Sequence, residues 1–461
     1  PASPSDGAGA SGCAKAAGPE KAASARPRRR GRRGRTERSI TGPKQRANVR
    51  GAPPGGARGR LPRRVSARSV AARAPRGHPE GFPAPRDPPR APSWYNPRVT
   101  IPKRTGLCLA GGGITGAMYE VGVLAALEDA FEDFRANDFD VFVGASTGAC
   151  VATGLAGGLS AQRMYRALLD PADDFFPLRR QHLMRLDAGE LQRVLSSSLG
   201  AFRRMVGTVA NRGVGKGFFV EVDRFWDSLP AGLFTTDPFE QFFYDFLTRR
   251  GLPKSFGEMP RKLLLIANDL DIGERVVFGV GGDQAHVPIA KAVAASIATP
   301  LLYAPVRIGG RDYIAGGPGE AGHVDVAVEH GCEMVLAINA MVPVRVDPLS
   351  REVPTGHGPM KRVRDKGMLW VYSQSWRLVT EARLQSGIAK YRAEHPNVDV
   401  HLLEPERGDA TMFMHSPMNF DARRSILEDG YKATTQLLRD PEAPLRKAVE
   451  ELGFRPKDEA G

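Results

Sequence analysis

The sequence lacks any apolar run approaching the ~18–20 residues that a transmembrane helix needs. No basic segment is followed directly by an apolar signal core, so we expect a cytoplasmic protein. There are also no CxxC pairs and no HExxH motif, and therefore we expect no metal site. The cysteines are few and scattered, which favours a reducing compartment over a disulfide framework; they are Cys13, Cys108, Cys150 and Cys332.

Acidic residues are scarce in the first 98 positions. This segment holds 23 Lys and Arg against 5 Asp and Glu, a net charge of +18, and the remainder holds 42 against 46, a net charge of −4. The positive charge of the chain therefore lies in the tail. The tail is rich in Pro, Gly, Ala and Arg, with RRRGRRGR at 28–35, and has too few aliphatic residues to fold. Such a tail is either a solvated extension or a non-specific contact for polyanions. We predict peripheral contact with anionic membranes and no specific nucleic-acid partner.

The order of apolar segments predicts an α/β fold with a parallel central sheet. A buried strand at 105–110 precedes an amphipathic helix at 117–134, and a second strand at 139–144 precedes a small-residue helix at 147–157. The later predicted elements are two strands around a turn within 263–279, a helix at 289–297, and strands at 304–308, 334–339 and 398–403.

Two other regions differ in character. Residues of about 160–255 include nine Phe between Phe202 and Phe246, and we expect a helical insertion. These aromatic side chains form either the core of that insertion or a lid and acyl-chain pocket. Residues 346–461 are charged, and we expect a mainly helical C-terminal extension packed on the core.

A glycine-flanked serine lies where the second strand meets its helix. Residues 144–148 read Gly-Ala-Ser-Thr-Gly, which matches G-x-S-x-G with Ser146 at the centre. A nucleophile at such a junction sits in a strained turn, and the helix N-terminus stabilises developing negative charge. The alternative is that Ser146 only caps the helix.

A glycine-rich loop at 111–116 follows the first strand in the same way and matches G-x-G-x-x-G. A dinucleotide site would require an acidic residue at the far end of the second strand, but Asp138 and Asp140 lie at its start. We favour an oxyanion hole, because parallel strands bring their carboxyl ends to one edge of the sheet. The expected N–H donors are Gly111, Gly112 and Gly113.

These two motifs, their order, and the stretch 289–339 resemble the patatin-like phospholipase family over residues of about 105–345. The resemblance implies a three-layer α/β/α domain, which we place at 99–345. Composition and apolar patterning add the helical insertion, the helical C-terminal region and a disordered tail at 1–98. It also implies a Ser–Asp dyad that hydrolyses fatty acyl esters, as a phospholipase A, lysophospholipase or lipase does, without a cofactor.

The resemblance gives Ser146 as the nucleophile but leaves its partner missing. The family's Asp opens an Asp-Gly-Gly motif, and here Ala315 stands in its place. Alanine cannot accept the serine proton, so we expect the rate to fall on the order of 10³–10⁶-fold. The glycines that the resemblance assigns to supporting turns are Gly116, Gly144, Gly148, Gly316 and Gly317.

Several interpretations of Ala315 stay open. It is an inactivating replacement in an intact enzyme, or the natural state of a non-catalytic lipid- or membrane-binding protein, or Asp312 or Asp325 replaces the lost carboxylate. A second departure is Thr115, where many members carry Arg or Lys. A Ser-His-Asp triad would require a late histidine; the candidates are His401 and His415, and nothing around either marks it as catalytic.

Overall fold

The computed structural model describes residues 103–457, except 171, 187–191, scattered positions between 193 and 215, 228, 283, 318, 320, 346–361 and 407–422. All of these residues belong to one compact unit, Phe82–Gly461. The basic tail, the boundary predicted near residue 98 and His415 lie outside the described residues. Within the described part, no helix combines the length and the apolar character that crossing a membrane requires.

The predicted alternation of strands and helices is present, with shifted boundaries. The strands are β1 (Thr105–Leu109), β2 (Val141–Ala145), β3 (Arg185–Leu186), β4 (Gly232–Thr235), β5 (Lys262–Asp269), β6 (Glu274–Gly279), β7 (Leu301–Tyr303), β8 (Val306–Ile308), β9 (Arg311–Ala315), β10 (Met334–Ile338) and β11 (Asp399–Leu403). The helices are α1 (Gly113–Ala130), α2 (Gly148–Ala156), α3 (Ala161–Leu169), α4 (Arg180–Leu183), α5 (Lys216–Asp227), α6 (Asp237–Arg249), α7 (Ile289–Ile297), α8 (Val324–Glu329), α9 (Met368–Glu394), α10 (Arg423–Leu438) and α11 (Pro444–Glu451).

The central sheet has the order β11-β10-β1-β2-β5-β9-β8, with β6 also paired to β5. The strands from β11 to β5 are parallel, whereas β6, β9 and β8 add antiparallel pairs at the other side. The mostly parallel α/β sheet is therefore confirmed. Because β1 and β2 are adjacent and parallel, the loops that follow them lie at the same edge.

Side chains alternate along the buried strands and fill two separate cores. Leu107 and Phe142 pack with helices α1, α2, α7 and α10 on one face, while Cys108 and Val143 pack with α8 and α9 on the other. A parallel sheet covered on both faces is buried throughout. The result is three layers, helices on each side of the sheet.

The insertion is not purely helical, which corrects that prediction. Strand β4 pairs with β3 on one side and with β7 on the other, which forms a small second sheet. The strand predicted at 304–308 is also wrong in extent, because β7 and β8 flank Ala304 and belong to different sheets. Short strands of two to four residues carry too little periodicity to be predicted.

The C-terminal region completes the core instead of only packing against it. Strand β11 lies parallel to β10 at the edge of the central sheet. Helix α10 packs along α1, with Gly122 of α1 so close to the backbone of Leu427 that an added Cβ would lie 2.3 Å from its carbonyl oxygen. The glycine therefore sets the distance between these two helices.

Candidate active site

Ser146 occupies the strained turn that the sequence predicts between β2 and α2. Its φ of 53° is a left-handed value that few non-glycine residues adopt. The Ser146 N–H donates to the Ser296 hydroxyl at 2.8 Å, and that hydroxyl donates to the Ile266 carbonyl at 2.6 Å. Helix α7 therefore holds the turn through a buried serine.

The flanking glycines are required by close backbone contacts. A Cβ at Gly148 would lie 2.4 Å from the Leu109 carbonyl oxygen, and one at Gly144 would lie 2.7 Å from the Ala149 Cα. The Thr147 hydroxyl also donates to the Gly113 carbonyl at 2.7 Å. These contacts fix the serine turn against the glycine-rich loop.

The glycine-rich loop has left-handed backbone at Gly111, Gly112 and Gly113, with φ of 72°, 120° and 73°. The Gly111 N–H donates to the buried Glu120 carboxyl at 2.6 Å, so it is not free to hold a substrate oxygen. This corrects the expected donor set. Gly112 and Gly113 line the cavity beside Ser146 at the start of α1, where the first N–H groups of a helix have no carbonyl partner inside it, and they remain predicted donors.

Two further residues of this loop are buried. A Cβ at Gly116 would lie 2.2 Å from the Gly111 carbonyl oxygen, so only glycine fits there. Thr115, which departs from the family, is 1 % exposed and its hydroxyl lies 3.4 Å from the Gly112 carbonyl oxygen. Thr115 is thus part of the loop's packing.

Glu120 supports the loop from inside α1, and no sequence motif marks it. Its side chain is fully buried, and burial raises the pKa of Glu120 to about 8, against the lowering effect of the Gly111 hydrogen bond. Its second oxygen has no hydrogen-bond partner among the described residues. At neutral pH this carboxyl is therefore protonated and neutral.

Ala315 lies close to Ser146 across one strand. It ends β9 and pairs with Ala267 of β5, while the β2–β5 register places Ala145 opposite Ile266. Ser146 therefore follows at the level of Ala267, about two strand spacings or roughly 10 Å from Ala315 between backbones. Both residues line the same cavity.

Gly316 and Gly317 continue that strand into a tight turn. A Cβ at Gly316 would lie 2.8 Å from Ile266 Cγ2, and Gly317 has a φ of 61°. The Gly317 carbonyl accepts from His323 Nε2 at 2.8 Å, and since a carbonyl oxygen can only accept, this nitrogen carries a proton. Burial lowers the pKa of His323 to about 4. The turn that follows the dyad position is thus formed without the dyad carboxylate.

The cavity has a volume of about 260 Å³ and a mainly apolar lining. Its walls come from the two motif loops, the insertion, α7 and the first turns of α9. The aliphatic and aromatic lining residues are Ile114, Met118, Phe176, Leu178, Leu183, Phe239, Ile297, Leu302, Tyr303, Met341, Leu369, Trp370, Tyr372 and Trp376. No Asp, Glu or His is among the described lining residues.

Within the Phe-rich segment, helix α6 serves mainly as core, whereas Phe202 and Phe219 are exposed. In α6, Phe239, Phe242, Phe243 and Phe246 are at most 5 % exposed and stack in tilted or parallel pairs. Phe239 also lines the cavity. Helix α6 therefore serves both as core and as pocket wall, because its buried face forms part of the cavity lining.

The alternative bases lie away from Ser146. Asp312 is 3.3 Å from Arg307 and Asp325 is 2.7 Å from Arg275, and neither lines the cavity. His401 lies in β11, with its Nε2 2.9 Å from an Asp399 oxygen, on the far side of β10 and β1 from β2. The geometry does not bring any of them to the serine.

Residues 107–328 match the sequence model of the patatin-like phospholipase family. This match covers 222 of the 461 residues, just under half of the chain, and identifies a patatin-like phospholipase domain there. The matched range contains the glycine loop, Ser146 and Ala315. The dinucleotide interpretation of the glycine loop is set aside, since the Gly111 N–H already donates to Glu120 and is not free to hold a pyrophosphate.

The patatin-like domain has similar proteins in bacteria. A cGAMP-activated phospholipase of Escherichia coli (strain TW11681) is 37 % identical over 90 residues, which are 18 % of this chain and 24 % of that protein. The match thus spans about a quarter of the relative's length. Among solved structures, VipD from Legionella pneumophila has 17 % identity over 73 % of this chain and 67 % of its own, with a TM-score of 0.30. The type III effector ExoU has 14 % identity over 77 % of this chain and 55 % of its own, with a TM-score of 0.31.

Proposed function

We propose that this patatin-like chain is a hydrolase of lipid acyl esters in which Ser146 is the nucleophile and the proton acceptor is missing at Ala315. The observation that carries the proposal is that Ser146 in its strained turn and Ala315 line one apolar cavity. The Escherichia coli relative is named a phospholipase, which is the same substrate class. An apolar lining suits an acyl chain, whose burial is favourable at roughly 0.8 kcal/mol per CH₂.

The chemistry requires a proton acceptor beside the serine. Ser146 Oγ forms a bond to the acyl carbonyl carbon, and the carbonyl oxygen becomes an oxyanion that the Gly112 and Gly113 N–H groups stabilise. With Asp at position 315, the carboxylate accepts the Ser146 proton and returns it to the departing alcohol as the ester bond breaks. Water then attacks the acyl-enzyme, its proton passing to the same carboxylate and from there to Ser146.

With Ala315, the serine proton has no protein acceptor at the site. The glycine donors and the substrate cavity remain, and such partial sites retain a fraction of the rate enhancement. We therefore propose that the chain as given binds lipid esters and turns them over on the order of 10³–10⁶-fold more slowly than an Asp-containing version.

Replacing Ala315 tests the dyad. Ala315→Asp, the parent chain and the double variant Ala315→Asp/Ser146→Ala are compared on a soluble short-chain ester. The proposal requires activity that rises by orders of magnitude with Asp and disappears in the double variant. Equal activity in the parent and Ala315→Asp would refute the dyad assignment, and Asp312→Ala and Asp325→Ala in the parent then identify which remote carboxylate replaces it.

The second candidate is a non-catalytic lipid- or membrane-binding protein. It is favoured by the absence of any carboxylate or imidazole among the described lining residues of the cavity. Saturable binding of a fluorescent fatty-acid analogue by the parent chain, together with no ester hydrolysis by Ala315→Asp, would support it over the hydrolase.

We further propose a cytoplasmic protein whose basic tail contacts anionic membranes. A vesicle-binding assay that compares the full chain with a variant lacking residues 1–98 would test the tail contact.

A further inference from the structure

Helix α9 exposes an apolar face to solvent along its first three turns. Met368, Val371, Leu378 and Val379 are 76 %, 43 %, 52 % and 57 % exposed. Their spacing of three, seven and one residues keeps them on one side of a helix with 3.6 residues per turn. Exposed Ser375 lies between Val371 and Leu378 on this side. Single exposed apolar residues are common, but several on one side of a helix are typical of a surface that contacts something apolar.

The same helix forms a wall of the Ser146 cavity. Leu369 and Trp376 line the cavity and are nevertheless 43 % and 38 % exposed. Side chains that belong both to the lining and to the surface lie at the mouth. The apolar face of α9 is therefore continuous with the cavity opening.

Two other segments extend this apolar rim. Leu301 is 44 % exposed with a φ of 70°, and its neighbours Pro300 and Leu302 line the cavity. Met184 is 47 % exposed and follows Leu183, which lines the cavity as well. Exposed apolar residues are thus adjacent in sequence to cavity-lining residues in the insertion and in β7 as well as in α9.

Cationic and aromatic groups lie directly before and within the start of α9. The short 3₁₀ turn Val363–Lys366 precedes the helix. Exposed Arg362 lies directly before this turn, which contains exposed Arg364 and one exposed acidic residue, Asp365. Lys366 Nζ lies 3.7 Å from the centroid of the Trp370 ring. Cations beside an indole and an apolar row are the composition of helices that lie in the headgroup region of a bilayer.

We propose that the start of α9, with the rim formed by Leu301 and Met184, is a docking surface for a phospholipid bilayer, which opens the cavity onto the acyl chains. The proposal rests on the proposed function in that the cavity is taken as the lipid site. The occupant is a bilayer because the face is apolar, continuous with an apolar cavity, and flanked by cations that match anionic headgroups. The exposed row inserts, and Arg362 and Arg364 lie at the level of the phosphates.

The test uses the full chain and co-sedimentation with vesicles of phosphatidylcholine and phosphatidylglycerol in high salt, which screens the basic tail. Val371→Asp places a charge in the docking surface without touching the cavity lining. Val280→Asp is the matched control, because Val280 is 48 % exposed and follows β6 at the opposite edge of the sheet from Ser146. We expect Val371→Asp to weaken vesicle binding roughly tenfold or more and Val280→Asp to leave it unchanged.

Equal binding of the parent chain, Val371→Asp and Val280→Asp would overturn the docking surface, and so would a parent chain that fails to bind vesicles in high salt. If sedimentation velocity shows a dimer of the parent that Val371→Asp dissociates, the occupant is a second copy and the bilayer proposal is wrong. The proposed hydrolase activity is measured separately, on a soluble ester, with the double variant Val371→Asp/Ala315→Asp. Loss of vesicle binding with retained soluble activity supports docking, and lack of activity in Ala315→Asp itself counts against the proposed function alone.

Discussion

The buried carboxyl of Glu120 gives the site a pH dependence that one substitution can isolate. Glu120 lies on α1 with its side chain inside the protein and holds the Gly111 N–H at 2.6 Å. Burial raises its pKa from an ordinary 4.5 to about 8, so the folded protein keeps a proton that the unfolded chain releases. Glu120→Gln keeps the shape and the acceptor oxygen but cannot ionise.

The number of protons bound by the folded and the unfolded chain determines how the stability changes with pH. Below pH 4.5 both states hold the proton, and the stability does not depend on this group. Between pH 4.5 and 8 the unfolded chain binds fewer protons than the folded one, so the free energy of unfolding falls as the pH rises. At 1.36 kcal/mol per pKa unit, the shift corresponds to at most about 5 kcal/mol lost by pH 8, and above pH 8 the loss levels off.

The measurement is denaturant unfolding followed by circular dichroism at several pH values between 5 and 8. Glu120→Gln should match the parent near pH 5 and exceed its stability by several kcal/mol near pH 8, in line with the linkage of one carboxyl. Glu258→Gln, at an exposed position, should leave the parent's pH profile unchanged. Parallel profiles for the parent and Glu120→Gln would refute the raised pKa and the neutral carboxyl behind the loop.

Two further substitutions test the turn that holds Ser146. Gly148→Ala should lower stability by at least about 1–3 kcal/mol, because its Cβ would lie 2.4 Å from the Leu109 carbonyl oxygen, whereas Gly257→Ala, with open space around it, should be close to neutral in thermal melts. Ser296→Ala should cost about 1–3 kcal/mol, because it removes the acceptor of the Ser146 N–H and the donor to Ile266; a melting temperature unchanged from the parent would contradict that role.

Much of the site could be predicted because backbone constraints leave a local trace. A Cβ added at Gly144 or Gly148 would lie within 3 Å of neighbouring backbone atoms. Both positions therefore require glycine, and the five-residue motif around Ser146 shows this requirement in the sequence. The parallel strands that precede Ser146 and the glycine loop are buried on every residue, so they appear as continuous apolar runs. The position of the serine turn and the sheet edge that it shares with the glycine loop follow from these features.

The rest depends on contacts between distant positions. Ser296 reaches Ser146 across 150 residues, and no spacing rule predicts such a pair. Glu120 has the sequence context of an ordinary amphipathic helix. Only the folded structure shows that its carboxyl accepts the Gly111 N–H, which is then not available as an oxyanion donor. The role of α9 as a cavity wall could not be predicted either. Its first turns carry apolar residues both on the side that faces the cavity and on the exposed side, so the sequence shows no clear amphipathic pattern.

The architecture around Ala315 does not depend on the side chain at that position. The Ala315 N–H donates to the Ala298 carbonyl at 2.9 Å, and its own carbonyl accepts from Asn268 at 3.2 Å. Both contacts are made by backbone atoms, and the Ala315 methyl group is half-buried at the cavity wall. An aspartate there adds a carboxylate to a cavity that already has the strained serine and the glycine loop. A change in hydrolysis between Ala315 and Ala315→Asp therefore measures proton transfer and not the repair of a broken fold.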